Sequence, residues 1–338
     1  MNNQNDILVS VCCITYNHAS YIRQCLDGFL MQKTNFKYEV IIHDDCSTDG
    51  TTEIVREYAE KYPDIIVPLF EEKNQYQNGV KRIMATFVYP KVRGKYMALC
   101  EGDDYWTDPL KLQKQYDYME SHPQCSLLHT AFKFLTEEDH TLHDSLIDQE
   151  EYNKCKEENL NVACEIFNFK YRVVTASSFM RYDCYTKVVS DEDFYKHSFY
   201  LGDIQLWAML LQYGDIGYLP DYTTVYRVHA DSACRQTNME IDAKNHLEIT
   251  EMQLFFLPKI KGADYLRSKI VNEFKINLFK YRLFNPRYRS FVNDKDCNLT
   301  FPYKFVLFFP FLRAAIVKLW KMKRVIMRNS ATKISSMG

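Results

Sequence analysis

Short apolar runs alternate with segments of helical periodicity over the first 135 residues of the chain. Five of the runs are partly β-branched and have the length of a strand: residues 8–14, 38–42, 65–70, 96–100 and 126–134. Between the first two runs, Ile22, Cys25, Leu26 and Phe29 recur at the spacing that places them on one helix face. This alternation predicts an α/β fold in which βαβ units build a mostly parallel central sheet flanked by helices.

The pattern changes after residue 135. Residues 136–165 are acidic and irregular, which predicts an exposed excursion from the sheet rather than another layer of core. Order resumes at residue 173, and helical periodicity continues from Met239 to the end of the chain. We therefore predict one α/β domain over residues 1–235 and a helical C-terminal region over residues 236–338.

Composition places the chain among globular proteins that keep their cysteines reduced. Its 338 residues are 46% hydrophobic and 25% charged, with 10 Gly and 10 Pro, which excludes collagen, coiled coils and wholesale disorder. The 11 cysteines include no CxxC pair, and the first ten residues have no signal-like apolar run. These features favour a cytoplasmic protein without a disulfide framework or a structural zinc site.

Charge is distributed unevenly along the chain. Residues 259–338 hold 18 Lys/Arg against 4 Asp/Glu, whereas the preceding residues hold 24 against 40. From Phe301 onward, eight basic residues and no acidic one are interleaved with aromatic and aliphatic residues. Because Pro310 and Arg313 interrupt the apolar run, we expect this segment not to span a bilayer. It is predicted to lie on an anionic membrane surface, with docking on the protein's own acidic part as the alternative. Nucleic-acid binding is not expected.

Candidate chemistry lies directly after three of the predicted strands. The first runs into Thr15, Tyr16 and Asn17, the second into residues 43–50, and the fourth into residues 101–104. In open α/β sheets ligands bind beyond the carboxyl ends of the strands. The carboxylates that follow these adjacent strands, among them Asp44, Asp45, Glu101, Asp103 and Asp104, would repel one another unless a cation or hydrogen-bond donors compensated them. Asp, Ser, Thr and Gly in residues 44–50 are also typical of a turn and a helix cap.

A divalent cation with a nucleotide diphosphate fits these carboxylates best. Mg²⁺ usually takes one or two protein carboxylates and completes its coordination with water and substrate phosphates. Neither a Walker-type loop nor GxGxxG follows the first strand, which argues against a P-loop NTPase and a Rossmann dehydrogenase.

Residues 7–230 resemble the inverting family 2 glycosyltransferases, which have the GT-A nucleotide-sugar-binding fold. The resemblance rests on three segments in the family's order and spacing: VSVCCITYNHASYIRQCLDGFLMQ, EVIIHDDCSTDGTTEIV and RGKYMALCEGDDYWTDPLKLQKQ. It implies a mostly parallel GT-A sheet flanked by helices, with a helical C-terminal extension, and Mg²⁺ or Mn²⁺ as cofactor.

The resemblance also implies roles for the residues after the first, second and fourth strands. Thr15, Tyr16 and Asn17 would line the nucleotide pocket, and Asp44 or Asp45 would recognise the base or ribose. Asp103 and Asp104 would match the family's metal and ribose carboxylates. Glu101 stands where the family signature has Asp, so it is a candidate ligand with a longer arm.

Further roles are implied outside these strand ends. Arg82, Arg93 and Lys95 would face the diphosphate, with solvated surface as the alternative. Asp203 is the candidate general base and would otherwise be a helix cap; the weaker candidates are Asp191, Glu192 and Asp193. His229, in the segment YRVH, would contact the metal or diphosphate, or else be a buried strand histidine.

These features together predict a metal-dependent inverting glycosyltransferase. It would move a sugar from a nucleotide-diphospho-sugar, with UDP favoured, to a hydroxyl of a glycan or lipid-linked acceptor. The resemblance implies bacterial surface polysaccharide synthesis, and the basic C-terminal segment predicts the inner face of the cell membrane as its place. The alternatives are a sugar nucleotidyltransferase and a catalytically silent protein that binds nucleotide sugar or scaffolds an envelope assembly complex.

Overall fold

The computed structural model describes residues 7–144, 172–196, 199, 202–229, 238–260, 262, 264–292 and 295–335, with side chains up to residue 322. The chain divides into two compact units. The first comprises Met1–Ser198 and Gly202–Ser232, and the second comprises Phe199–Leu201 and Ala233–Gly338. The assignment of separate roles to residues 1–235 and 236–338 stays a prediction.

The first half of the central sheet is parallel, as the alternation of strands and helices predicts. Its strands are β1 (Ile7–Thr15), β2 (Lys37–Asp44), β3 (Ile66–Phe70) and β4 (Tyr96–Glu101), which lie in the order β3-β2-β1-β4. All three ladders between them are parallel. β1, β2 and β4 are rich in Val, Ile, Leu and Cys and are mostly buried on both faces, as is typical of strands covered by helices, whereas β3 at the edge is half-buried.

The second half of the sheet is mixed rather than parallel. Its strands are β5 (Tyr105–Trp106), β6 (Cys125–Thr136), β7 (Thr141–Asp144), β8 (Ser178–Arg181) and β9 (Asp215–Val228). β8 is antiparallel to both β4 and β6, β6 is parallel to β9, and β9 is antiparallel to β5. The predicted α/β class is confirmed, while the parallel arrangement is confined to β3-β2-β1-β4 and the β6–β9 pair.

Helices flank the sheet, and α1 lies where the spacing of apolar residues predicts it. The first unit contains α1 (Ile22–Leu30), α2 (Thr51–Lys61), α3 (Lys111–Ser121), α4 (Tyr182–Ser190), α5 (Glu192–Lys196) and α6 (Gly202–Leu210). In α1, Ile22, Cys25, Leu26 and Phe29 are fully buried. A π-helical turn, Met84–Val88, and a 3₁₀ turn, Tyr89–Lys91, lead into β4.

The predicted excursion begins as part of the sheet. β7 pairs with the end of β6 from Thr136↔Thr141 to Lys133↔Asp144, and three of its four residues are exposed. Residues 136–144 therefore form an exposed hairpin at the sheet edge, which corrects the expectation of an irregular segment there. The remainder of the excursion, residues 145–165, lies outside the described residues.

The second unit is helical, as predicted. It contains α7 (Met239–Phe256), α8 (Arg267–Phe284), α9 (Phe301–Phe308) and α10 (Pro310–Ser335). The Asn238 side chain accepts hydrogen bonds from the backbone N–H groups of Glu240 and Ile241 and so caps α7. Among the described helices, none combines the length and the apolar character that crossing a membrane requires.

Candidate active site

The carboxyl ends of β1, β2 and β4 meet at one edge of the sheet. Thr15 pairs in register with Asp44 of β2, and Ile14 pairs with Glu101 of β4. The polar segments that follow these strands are therefore neighbours in space, at the edge where α/β sheets bind ligands.

Three carboxylates form the centre of this edge. Glu101, Asp103 and Asp104 can each offer one oxygen so that the three atoms lie within 4.8 Å of one another. Asp104 is buried, with 1% of its surface exposed. Carboxylate oxygens in such a group are the ligands that Mg²⁺ and Mn²⁺ prefer.

The three carboxyls have different pKa values because burial and neighbouring groups act on each of them differently. Burial, with the charges of Asp103 and Asp203 added, raises the pKa of Glu101 to about 8. Burial, followed by the charges of Asp103 and Glu101, raises the pKa of Asp104. Burial acts in the same direction on Asp103, but the hydrogen bond with His229 and the nearby His18 outweigh it and lower the pKa of that carboxyl. A bound cation would favour the ionised form of all three.

Several buried polar atoms at this edge have no hydrogen-bond partner among the described residues. They are Asp103 Oδ1, Asp104 Oδ2, Thr15 Oγ1 and His18 Nδ1. Because unpaired buried polar groups are costly, their convergence on one place indicates that a ligand satisfies them. The donor set, of two unpartnered carboxylate oxygens and a third carboxylate, fits a hard divalent cation.

Gly102 lets the acidic segment lie close against the end of β1. A Cβ built on Gly102 would lie 2.6 Å from Thr15 Oγ1 and 3.0 Å from His18 Nδ1. The backbone N–H of Gly102 donates to the Ile14 carbonyl at 2.9 Å. Glycine at this position therefore brings the carboxylates next to Thr15 and His18.

The end of β9 supports two of the carboxylates. The backbone N–H of Arg227 donates to Asp104 Oδ1 at 2.8 Å, and His229 Nε2 lies 3.1 Å from Asp103 Oδ2. His229 thus contacts a carboxylate of the three-carboxylate group without belonging to that group. Its prediction as a metal or diphosphate contact stays a prediction.

His18 is a site residue that the sequence analysis missed. Its Nε2 lies 3.9 Å from Asp103 Oδ2, and its ring makes an edge contact with His229 at 6.5 Å between centroids. The available signal was its position directly after Thr15, Tyr16 and Asn17 at the end of β1.

The residues after β1 and β2 brace each other. Asn17, with a φ of 55°, accepts from the backbone N–H of Thr48 at 2.8 Å and donates its own N–H to Ser47 Oγ at 2.9 Å. Tyr16 is 36% exposed, and its hydroxyl lies 3.4 Å from Gln77 Nε2. The predicted pocket residues thus lie at the site edge, where the Thr15 hydroxyl has no hydrogen-bond partner among the described residues and the Tyr16 side chain is partly exposed.

Asp44 and Asp45 hold loops in this structure. Asp44 Oδ1 accepts from Ser47 Oγ at 2.5 Å, and its Oδ2 accepts from the Thr52 hydroxyl. Asp45 accepts from the backbone N–H groups of Gln75 and Tyr76 at 2.7 and 3.0 Å. Recognition of a base or ribose by either carboxylate stays a prediction.

Asp203 lies close enough to Glu101 for its charge to affect that carboxyl. It is the second residue of α6, its Oδ1 accepts from the N–H of Ile204 at 2.8 Å, and its charge contributes to the raised pKa of Glu101. Burial raises the pKa of Asp203 itself. Of the weaker candidates, Asp191 accepts from the backbone N–H of Asp193, and Glu192 begins α5.

The structure gives Arg82 internal partners. Its Nη2 donates to the Phe194 carbonyl at 2.5 Å and to Gln205 Oε1 at 3.2 Å, and its guanidinium stacks on the Phe194 ring. It therefore joins the segment before β4 to α5 and α6, the helix that carries Asp203. Its prediction as a diphosphate contact stays a prediction.

Arg93 and Lys95 were predicted wrongly to face the diphosphate. Both precede Tyr96, the first residue of β4, whereas the carboxylates follow Glu101, its last. The two ends of this six-residue strand are about 17 Å apart. Arg93 instead forms an ion pair with buried Glu39, and Lys95 pairs with Glu120, at 2.5 Å each.

Comparison with known proteins finds similarity to glycosyltransferases. Residues 10–177 match the family model described as Glycosyl transferase family 2. The putative teichuronic acid biosynthesis glycosyltransferase TuaG of Bacillus subtilis is 32% identical over 131 residues, 39% of this chain and 49% of TuaG. An uncharacterized protein of Mycobacterium tuberculosis is 50% identical over 121 residues, 35% of this chain and 33% of that protein. The chain thus spans a third to a half of the length of these relatives.

Solved structures resemble this fold more widely. S. aureus TarS 1–349 in complex with UDP-GlcNAc has a TM-score of 0.54 at 18% identity, covering 82% of this chain and 73% of the 1–349 chain. The mannosyltransferase PcManGT from Pyrobaculum calidifontis, in complex with GDP-Man and Mn²⁺, has a TM-score of 0.53 at 14% identity, covering 94% and 89%. At these identities the likeness concerns the fold, and it confirms the predicted GT-A-type architecture.

Proposed function

Because this chain belongs to glycosyl transferase family 2, whose model it matches over residues 10–177, we propose that it is a metal-dependent inverting glycosyltransferase. The donor is a nucleotide-diphospho-sugar, with a UDP-sugar favoured, and the acceptor is a hydroxyl of a glycan or lipid-linked saccharide. The observation that carries this proposal is the convergence of Glu101, Asp103 and Asp104, with two buried unpartnered oxygens, at the ligand-binding edge of the sheet.

The proposed mechanism assigns a proton transfer to Asp203. Its carboxylate takes the proton of the acceptor hydroxyl while that oxygen attacks the anomeric carbon from the face opposite the diphosphate. A bond from the acceptor oxygen to the anomeric carbon forms, and the bond from that carbon to the diphosphate breaks, which inverts the configuration. Glu101, Asp103 and Asp104 would hold a divalent cation, which when bound would neutralise the charge of the departing diphosphate.

The chain's own residues orient the reactants around this step. The Thr15 hydroxyl and His18 Nδ1 are unpartnered within the described structure, and they supply polar contacts beside the carboxylates. Burial raises the pKa of Asp203, which makes its carboxylate a stronger base. Tyr16, Asn17, Asp44 and Asp45 are proposed to contact the nucleoside.

A role in bacterial surface polysaccharide synthesis is supported by the similarity to TuaG. Attachment to the inner face of the membrane is proposed for α9 and α10. Phe301, Phe308 and Phe311 are 75%, 77% and 66% exposed, and Lys318 and Lys321 of α10 are also exposed. Exposed aromatic rings with Lys and Arg are typical of helices that lie on anionic lipid.

A panel of nucleotide sugars with Mn²⁺ or Mg²⁺ tests the proposed activity. We expect one donor to be hydrolysed slowly without acceptor and Asp104→Asn to abolish this turnover while the protein stays folded. Glu57→Gln, which removes an exposed carboxylate of α2, is the matched control and should retain activity. Full activity in chelator would contradict the role of the metal. Binding of donor without any turnover would support the catalytically silent alternative.

A further inference from the structure

The Arg227 side chain is enclosed beside the three carboxylates. It is 6% exposed, and its guanidinium carbon lies 5.0 Å from the Tyr21 ring centroid and 4.7 Å from that of Tyr105. Tyr21 lies next to α1, and Tyr105 begins β5, directly after Asp104. The Arg227 guanidinium therefore contacts two aromatic rings close to residues 101–104.

The buried Arg227 guanidinium forms an ion pair with a residue of the β6–β7 hairpin. Arg227 Nη1 donates to Glu137 Oε1, and Arg227 Nη2 donates to Gln24 Oε1. The backbone N–H of Glu137 also donates to the Val228 carbonyl at 3.0 Å. Glu137 follows Thr136, the last residue of β6, so the pair joins the hairpin to the end of β9.

The backbone of Arg227 reaches the candidate metal site directly. Its N–H donates to Asp104 Oδ1 at 2.8 Å, which leaves Asp104 Oδ2 without a hydrogen-bond partner in the described part of the chain. Asp104 also faces repulsion from Glu101 and Asp103, so its orientation depends on donors outside the group. Groups that orient ligands in this way govern metal affinity as strongly as many ligands do.

We propose that Arg227 is a positioning residue for the metal site, and that its ion pair with Glu137 makes the orientation of Asp104 depend on the β6–β7 hairpin. The inference rests on the proposed function, because it assumes that Asp104 binds the cation. In the described part of the chain Glu137 makes no hydrogen bond or ion pair with the three carboxylates, so its effect passes through Arg227. The β6–β7 hairpin thereby helps to position a carboxylate of the candidate active site.

Mn²⁺ binding in the presence of UDP, followed by electron paramagnetic resonance or calorimetry, tests this proposal. We expect Arg227→Gln to weaken Mn²⁺ binding about 10–100-fold, because its loss frees the strand end that orients Asp104. Glu137→Gln keeps an acceptor oxygen and should give a smaller change in the same direction. The double variant should bind no more weakly than Arg227→Gln, since the two residues act as one pair.

The control is Arg23→Gln, which removes an exposed arginine of α1 paired with Glu57 at 2.6 Å and should leave Mn²⁺ binding unchanged. Thermal unfolding is measured in parallel. Lowered stability with wild-type Mn²⁺ affinity, or fully additive effects in the double variant, would overturn the inference. If Arg227→Gln does not fold, Glu137→Gln decides alone. Absence of Mn²⁺ binding by the wild type would overturn the proposed function as well, whereas unchanged variants overturn the positioning role alone.

Discussion

Each carboxyl of the site has an acidity set by its immediate surroundings. Glu101 has a pKa of about 8 because of burial and the nearby charges of Asp103 and Asp203, whereas His229 and His18 keep the pKa of Asp103 low. Two carboxyls a few residues apart therefore differ in protonation at neutral pH. In the metal-free protein this arrangement has a measurable consequence for stability.

We predict that the metal-free protein loses stability as pH rises from about 4.5 to about 8. In this window folded Glu101 holds a proton that the unfolded chain has released, so the folded state binds more protons and its stability falls with pH. One such group contributes at most about 1.4 kcal/mol per pH unit. Glu101→Gln should flatten the slope without abolishing it, because the pKa values of Asp104 and Asp203 are also raised.

Urea unfolding of the metal-free protein at several pH values between 5 and 8 checks this slope. Glu57→Gln serves as the control, since that carboxylate is exposed and its pKa is lowered by Arg23. An identical slope in Glu101→Gln and wild type would show that Glu101 ionises normally.

Asp203→Asn, which replaces one carboxylate oxygen with an amide nitrogen, tests the proposed general base. Asparagine keeps the Oδ1 acceptor that bonds the N–H of Ile204, so α6 should remain intact. We expect donor affinity to be retained and transfer to fall about 10²–10⁴-fold, since the base acts on the acceptor proton alone. Calorimetry with the donor and a transfer assay measure the two effects. Loss of donor binding would make Asp203 a pocket residue instead.

At the scale of elements, the site is built where loops interlock. The segment after β1 and the segment after β2 exchange hydrogen bonds through Asn17, Ser47 and Thr48, and Asp49 accepts from the backbone N–H of Ala19 at 2.9 Å. Several of the polar residues that the sequence offered as ligands therefore also fix the loops. The turn between β4 and β5 packs closely against the segment after β1 because residue 102 is glycine and has no side chain.

Gly102→Ala should disturb the site through crowding. The added methyl would lie 2.6 Å from Thr15 Oγ1 and 2.8 Å from Thr15 Cβ, so the turn must shift. We expect a loss of about 1–3 kcal/mol of stability, together with weaker Mn²⁺ binding. Gly202→Ala is the control for stability, because its Cβ would meet nothing within 4 Å. Denaturant unfolding compares the stability of the two variants. Wild-type stability of Gly102→Ala would mean that the turn is free to move.

At the scale of the whole molecule, charge and exposed apolar area are concentrated in the C-terminal residues. In the second unit, Phe279 contacts Tyr303 at 4.9 Å and Phe284 contacts Trp320 at 6.0 Å between ring centroids, so α9 and α10 pack on α8. Other aromatic rings of α9 and α10 stay exposed next to lysines. The net charge of −2 for the chain hides this basic, aromatic surface.

Vesicle sedimentation tests whether this surface binds lipid. We expect the full chain to bind anionic vesicles, to bind neutral ones weakly, and to be released by salt, since each basic residue near an anionic surface contributes about 1 kcal/mol. The double variant Phe308→Ser, Phe311→Ser should bind less without a change in melting temperature. Tyr265→Ser, at another exposed aromatic residue of this unit, is the control. If the intact chain sediments with neither anionic nor neutral vesicles, membrane attachment is contradicted.

The sequence by itself determined the features that depend on neighbouring residues. Strand and helix periods, the polar strand ends and the acidic segment after YMALC were sufficient to predict the α/β fold, the family and the three-carboxylate group, because each is a local pattern. Contacts between distant segments were decided by the tertiary structure. Arg93 pairs with Glu39 at the opposite edge, and Arg227 pairs with Glu137, 90 residues earlier in the chain. Periodicity specifies which face of an element is buried, but the partner of a buried charge is fixed when the elements pack.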